Sequence, residues 1–451
     1  MTLASDLKSL VDELDRVHRG DKPRWKENGL PNFTHAENGS VRYFNQSSLN
    51  AIWSISKILY NNLPPESPKI EIKEYANIIR QIIANMHAAG DFLGFDEGDQ
   101  GKIIPRFRSL VHERLILMSQ EYTHYFPAHT IGVEERAPFS IGPVTVFNRL
   151  HWLDSVDIPI SSKENSQWKE FINKKINENH ENIELCRDSE EIYNFLLEGS
   201  AIIKVITRGY EEKISEKFAR IIAKSSLDAI SLAVGREDCF CQQLIHGERF
   251  YPRMVYTLIE KNDRRWSRVI SKGRIFCILS PNQIDALLKE NNNIISGFGE
   301  IIGGVLDPSN YKHPKLANRW VTALDWFGEG CRESNDAIAV AKLATCLDVL
   351  SGGGQCPGIT SMVAHLTGTN RDEEVTRFPS RTLNNLIQLI YNECRSKTLH
   401  GANNDRLRQL FEIRSCSVKV ARVSLIEIAE RLRAYQGPDE SKGNHNIFVG
   451  I

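Results

Sequence analysis

Apolar residues recur at helical spacing along the first 125 positions. Leu7, Leu10, Val11 and Leu14 step by three, one and three, the stripe of an amphipathic helix. Residues 52–63 and 78–86 repeat the pattern, and Pro64-Pro65 breaks the chain between them. Residues 96–101, Asp-Glu-Gly-Asp-Gln-Gly, read as an exposed acidic loop. The pattern then changes. Pro127, Pro138, Gly142 and Pro143 punctuate short β-branched and aromatic pieces, and residues 144–147 predict a strand. Residues 201–207 predict a second strand. A helical run follows, with Ile214, Phe218, Ile221, Ile222, Leu227 and Ile230 along one side. Residues 254–259 and 274–279 predict further short strands.

From about residue 310 the period is again helical. Trp320, Leu324 and Phe327 mark one helix. Residues 336–350 predict another, with Ile338, Ala341, Ala344, Leu347 and Leu350 on one face and Ser351-Gly352-Gly353-Gly354 as its stop. Leu383, Leu386, Ile387, Ile390 and Cys394 stripe a third, and residues 405–435 a long final one. The polar tail, 437–446, reads as frayed. The expected fold is mainly α with a smaller mixed α/β region. It divides into a helical region at 1–125, a mixed α/β sensing or regulatory region at 126–305, and a helical bundle at 306–451.

Composition narrows the function classes. Lys+Arg 56 against Asp+Glu 57 leaves a net charge of -1 over 451 residues. A strongly basic nucleic-acid binder is excluded at whole-chain level, while a local basic patch is not. There is no run of 18 or more apolar residues, so no membrane span is expected. The first 19 positions lack the apolar core of a signal peptide. Nine cysteines without framework spacing fit reduced thiols and a cytoplasmic location. Cys239-Phe240-Cys241 with His246 lacks the second half-site that a four-ligand metal centre needs, so no metal is expected.

Gly297-Phe298-Gly299 with Gly303-Gly304 has the wrong spacing for a dinucleotide loop and reads as a turn between elements. No phosphate-binding P-loop, G-x-S-x-G elbow or H-E-x-x-H helix is present. What remains is arginine followed closely by histidine: Arg80/His87, Arg106/His112 and Arg395/His400. Such short pairs arise by chance, so context decides. Arg80/His87 and Arg106/His112 read as charged or satisfied pairs on helix faces. Arg395 follows the Leu383–Cys394 stripe and is expected near the end of that helix. Gly401 offers a stop after His400, and Asn403, Asn404 and Asp405 open the final helix. The pair would then stand at a helix–helix corner facing a groove.

Arg395-Ser396-Lys397-Thr398-Leu399-His400-Gly401 resembles the signature of Apea-like HEPN domains. Ala323-Leu324-Asp325-Trp326-Phe327 is similar to the Trp-Phe helix of that family, and residues 336–352 to its second helix. The resemblance covers about residues 312–435. It implies a C-terminal HEPN helical bundle of four or five helices and a metal-independent endoribonuclease without cofactor. It also implies a homodimer or higher homo-oligomer formed through that domain. The family's usual setting is anti-phage defence by abortive infection. The partners implied are an RNA substrate, tRNA among the candidates, and a trigger such as a phage component. His400 would transfer protons, Arg395 would stabilise the phosphate, and Lys397 and Asn403 would contact substrate. Ser396 stands where many HEPN ribonucleases carry Asn, Asp or His, although Ser is usual in the Apea-like branch. The runner-up is a non-catalytic RNA-binding or regulatory HEPN protein; that the chain keeps both Arg395 and His400 favours the enzyme. On the enzyme reading, the first 300 residues sense a trigger or restrain the nuclease.

Overall fold

The amphipathic stripe of the first helix does what its period predicts. In α1 (Leu3–His18), Leu7, Leu10, Val11 and Leu14 are all buried. They meet Ile52 and Ile55 of α2 (Gln46–Tyr60), Ile79 and Ile83 of α3 (Ile72–Ala89), and Phe107 and Val111 of α4 (Gln100–Met118) in one core. The computed structural model describes residues 3–19, 32–64, 67–95, 100–118, 120–130, 137–157, 167–178, 185–248, 255–261, 264–270, 280–377, 379–399 and 410–440. Its first compact unit comprises Met1–Tyr122 and Thr207–Phe218; its second comprises Thr123–Ile206 and Ala219–Ile451. The boundary expected at 305/306 falls inside the second unit.

Two features of the first unit depart from the sequence expectation. An antiparallel hairpin, β1 (Asn32–His35) and β2 (Val41–Phe44), is inserted between α1 and α2. Each strand is too short for alternation to register in the sequence. Asn45 then caps α2 by accepting a hydrogen bond from Ser48 N. Within the expected acidic loop, Gln100 and Gly101 open α4, and 96–99 lie outside the described residues.

One polar chain ties α1, α3 and β2 together. Arg42 Nε donates to His87 Nδ1 at 2.8 Å, and His87 Nε2 lies 3.1 Å from Asp15 Oδ1. A guanidinium can only donate, so Nδ1 accepts and the ring proton sits on Nε2, facing Asp15. Burial holds the His87 pKa down, against the pull of Asp15, and burial, Arg42 and His87 hold His18 down.

The second unit is mainly helical around a small sheet. The strands β3 (Tyr122–His129), β4 (Phe139–Ile141), β5 (Val144–Asn148), β6 (Ala201–Thr207) and β7 (Leu244–Ile245) run in the order β4-β5-β6-β3-β7. β5 and β6 pair antiparallel, Val144 opposite Val205 and Val146 opposite Ile203. Helices α5 (Arg149–Ser155), α6 (Trp168–Glu178) and α7 (Arg187–Leu197) lie between these strands in the chain. Trp152, Trp168, Ile172 and Leu196 form their common core. Next come α8 (Glu212–Val234), α9 (Cys239–Gln242) and the hairpin β8 (Val255–Lys261) and β9 (Arg264–Ile270). The strand expected at 274–279 lies outside the described residues.

The C-terminal helices are α10 (Pro281–Glu290), α11 (Asn292–Leu306), α12 (Pro314–Arg332), α13 (Asp336–Leu350) and α14 (Gln355–Thr367). Another hairpin follows, β10 (Glu374–Arg377) and β11 (Ser380–Thr382). Then come α15 (Leu383–Gln388) and, after a π-helical segment, α16 (Lys397–Leu399) and α17 (Phe411–Ala434). The glycines at 297–304 correct the expected turn, for they lie inside α11. A Cβ at Gly299 would stand 2.9 Å from Gly142 Cα, so the helix can approach the β4–β5 turn only without side chains at either position. Ile221 and Ile338, expected on buried faces, are exposed. The tail is not frayed up to Glu440: Asp439 accepts from Lys315 N and Leu316 N, capping α12, and Arg319 Nη2 donates to Glu440 O at 2.7 Å. Among the described residues no single helix is long and apolar enough to cross a membrane.

Beneath the interface of α8, α9 and α12 lies an ion pair. Arg332 pairs with Asp228, both side chains 1% exposed, and its Nε donates to Phe240 O at 2.9 Å. Gly328 makes room, since a Cβ there would stand 2.6 Å from Asp228 Oδ2. Asp228→Ala or Arg332→Ala leaves one buried charge uncompensated and is expected to cost about 3–5 kcal/mol, read as a lower urea midpoint. The double change Asp228→Leu/Arg332→Met is expected to recover most of that loss.

The first unit has its own test. Its depressed histidines bind protons more readily unfolded than folded, so stability is fully present above about pH 6.5 and is lost as pH falls below it. Urea midpoints between pH 8 and 5 should fall, and His87→Gln should flatten the profile.

Candidate active site

The stripe Leu386, Ile390 and Cys394 packs against Val340 and Ala344 of α13 and Ile413 of α17. Each Leu or Ile buried this way contributes about 1.5–3 kcal/mol, which fixes the rotation of the helix. Residues Leu389–Ser396 continue α15 as a π-helix, and α16 extends the helical run to Leu399. Arg395 therefore lies one turn before the last described residue of the run, and residues 400–409, which would complete the expected corner, lie outside the described residues. The wider π geometry accommodates side chains that a regular helix would turn elsewhere, and such segments recur at functional sites.

Arg395 is held from two elements. Its Nη1 donates to Tyr391 Oη at 3.0 Å, one helical step back, and its guanidinium lies 4.7 Å from the centre of the Tyr391 ring. Its Nη2 is 3.7 Å from Asp348 Oδ2, an ion pair with side chains 24% and 17% exposed. Tyr391 Oη donates to the same carboxylate oxygen at 3.4 Å, and burial, followed by the charge of Asp348, raises the Tyr391 pKa. The phenol therefore stays protonated and remains a donor. Arg395 Nε is buried without a hydrogen-bond partner among the described residues.

Asp348 is itself fixed by the turn after α13. Its Oδ1 accepts from Gln355 N at 3.0 Å, and its carbonyl accepts from Ser351 Oγ at 2.9 Å. Gln355 adopts φ +54°, a conformation that costs a residue with a side chain about 1–2 kcal/mol. The turn thus holds a carboxylate against the guanidinium at the expense of local strain.

The other candidates separate. Lys397 forms an exposed ion pair with Glu393 on its own helix. His400 and Asn403 lie outside the described residues. His87 bonds Arg42 and Asp15 rather than Arg80, and Arg106 pairs with Asp91 at 3.0 Å rather than facing His112. His246 meets Glu198 at 2.7 Å. Among the described residues no group of three or more His, Cys, Asp and Glu side chains gathers as a metal site. Asp348 and Tyr391 escaped the sequence reading. Tyr391 was legible in principle, four residues before Arg395. Asp348 carried no signal, being 47 positions away in the chain.

The arrangement can do one thing chemically: present a fixed, partly exposed guanidinium with uncommitted N–H groups to an anion. Asp348→Ala removes a charged acceptor from Gln355 N and is expected to cost about 1.5–3 kcal/mol in thermal or urea melts. Gln355→Gly relieves the backbone strain and is expected to be neutral or to stabilise by up to about 1 kcal/mol.

Comparisons with protein-family models, with curated proteins and with solved structures returned no match to this chain.

Proposed function

We propose that the C-terminal region is a HEPN-type, metal-independent endoribonuclease with Arg395 and His400 as its catalytic pair. The observation that carries the reading is the state of Arg395. Tyr391 and Asp348 hold its guanidinium, yet only one hydrogen bond to a described residue uses its N–H groups. A guanidinium serving only the fold would be spent on carbonyls and carboxylates, as Arg332 and Arg414 are. The Arg-Ser-x-x-x-His-Gly segment supplies the second half of the argument, because it places a histidine five residues on.

The chemistry needs no resident ion in this reading. A base removes the proton of the ribose 2′-hydroxyl, whose oxygen attacks the adjacent phosphorus. The P–O5′ bond breaks, and an acid protonates the departing oxygen. The products are a 2′,3′-cyclic phosphate and a 5′-hydroxyl. Histidine titrates near neutrality and suits both proton roles, one copy each from two protomers. Arg395 stabilises the charge that gathers on the phosphate oxygens. Lys397 and Asn403 would contact neighbouring phosphates or bases. DNA is spared for want of a 2′-hydroxyl.

Purified wild type, His400→Ala and Arg395→Ala incubated with total RNA and tRNA in EDTA test the proposal. Wild type should cleave to cyclic-phosphate ends. His400→Ala should lose about 10²–10⁴-fold and Arg395→Ala about 10²–10³-fold in rate. Equal cleavage by all three would sink the assignment.

A further inference from the structure

The proposed nuclease site takes no residue from the first unit, and that unit displays a pair of partly exposed aromatic rings of its own. Phe33 and Tyr43 are direct cross-strand partners in the β1–β2 hairpin and therefore share one face. They are 48% and 39% exposed, with ring centres 6.4 Å apart. Beside this pair His18 lies 6.2 Å from Tyr43, and the mostly buried His87 lies beneath, 5.4 Å from His18. Neither ring of the hairpin pair is sequestered in the core beneath it.

A cation stands at the His87 end of this group. Arg42 leaves β2 on the opposite side from Tyr43, but its 2.8 Å bond to His87 brings the guanidinium to the group. Its other hydrogen bonds go to Ser40 Oγ and Val41 O, both at 3.1 Å. Among the described residues no carboxylate pairs with it, and Nη2 makes no hydrogen bond. The neighbouring cations differ: Arg16 is matched by Glu13 and Arg19 by Asp15. The chain Asp15–His87–Arg42 therefore fixes a guanidinium without neutralising it. Burial first, then Arg42 and His87, oppose protonation of His18, while Asp15 favours it.

Flat rings beside a fixed, unneutralised guanidinium complement a ligand that alternates flat bases with phosphates. We propose that this face of the first unit binds single-stranded nucleic acid, stacking bases on Tyr43 and Phe33 and holding a phosphate on Arg42. A duplex does not fit the same surface, because its bases are already stacked on one another. The proposal is independent of any cleavage at Arg395.

The test measures anisotropy of a short fluorescein-labelled oligodeoxyadenylate with the full chain, a probe that 2′-hydroxyl chemistry cannot cut. Tyr43→Ala and Phe33→Ala should each weaken binding by at least about fivefold, while Tyr43→Trp keeps it. Neither ring belongs to the buried core, so neither change removes core. Arg42→Gln should weaken binding and reduce the slope of log K against log salt by about 0.7. Arg395→Ala should bind as wild type does. The proposal is overturned if wild type does not bind or if Tyr43→Ala and Arg42→Gln bind like wild type. It is likewise overturned if a duplex of the same length binds as tightly, or if Arg395→Ala alone abolishes binding.

Discussion

The second unit depends on a buried charge and its complement. Asp228 of α8 and Arg332 of α12 lie where water does not reach, so each needs the other and each constrains the helix that carries it. Phe240 O takes the Arg332 Nε and fixes α9 to the same point. Around this pair Lys224 spans Asp325 and Glu329, and Lys342 reaches Glu333, which extends the charged contacts to α13. Such a pair is weak support for stability compared with an apolar replacement. It is strong support for register, because a helix shifted by one residue would bury an unmatched ion.

Register matters because α13 also delivers Asp348. Its apolar face, Val340 and Ala344, packs against the stripe that ends in Cys394, and the carboxylate emerges where that packing stops. Arg395, one residue beyond Cys394, meets it there. The placement of the guanidinium is thus the outcome of a hydrophobic alignment finished by an ion pair and a phenol. The strained turn at Gln355 belongs to the same arrangement, since its N–H anchors the carboxylate from the other side. Local rules give way where a polar group must be aimed.

Arg42 and Arg395 are placed in the same way. Each is held through an aromatic or imidazole neighbour and an acidic side chain, and each keeps donors uncommitted. The buried Arg332 uses its donors inside the protein. This difference separates arginines that build the fold from arginines available to a ligand, and charge totals miss it: the chain as a whole is balanced.

Much of the helical architecture was legible from periodicity alone. The stripes of α1, α12, α13 and α15, and the strands at 144–148 and 201–207, required only the match between apolar spacing and the repeat of each element. The candidate arginine was likewise legible, because Arg-Ser-x-x-x-His-Gly is a local pattern. Other features were decided only in three dimensions. The glycines at 297–304 look like a turn in the sequence but lie inside α11, where Gly299 lets the helix approach Gly142 of the β4–β5 turn. The polar tail looks unstructured, yet its described part, up to Glu440, is docked because Asp439 caps α12. Asp348 is one acidic residue among many until packing brings it to Arg395. Sequence determined what each segment could become, since propensity and period act over a few residues. The tertiary structure decided which polar groups meet, because those contacts join residues far apart in the chain, whose pairing no local pattern records.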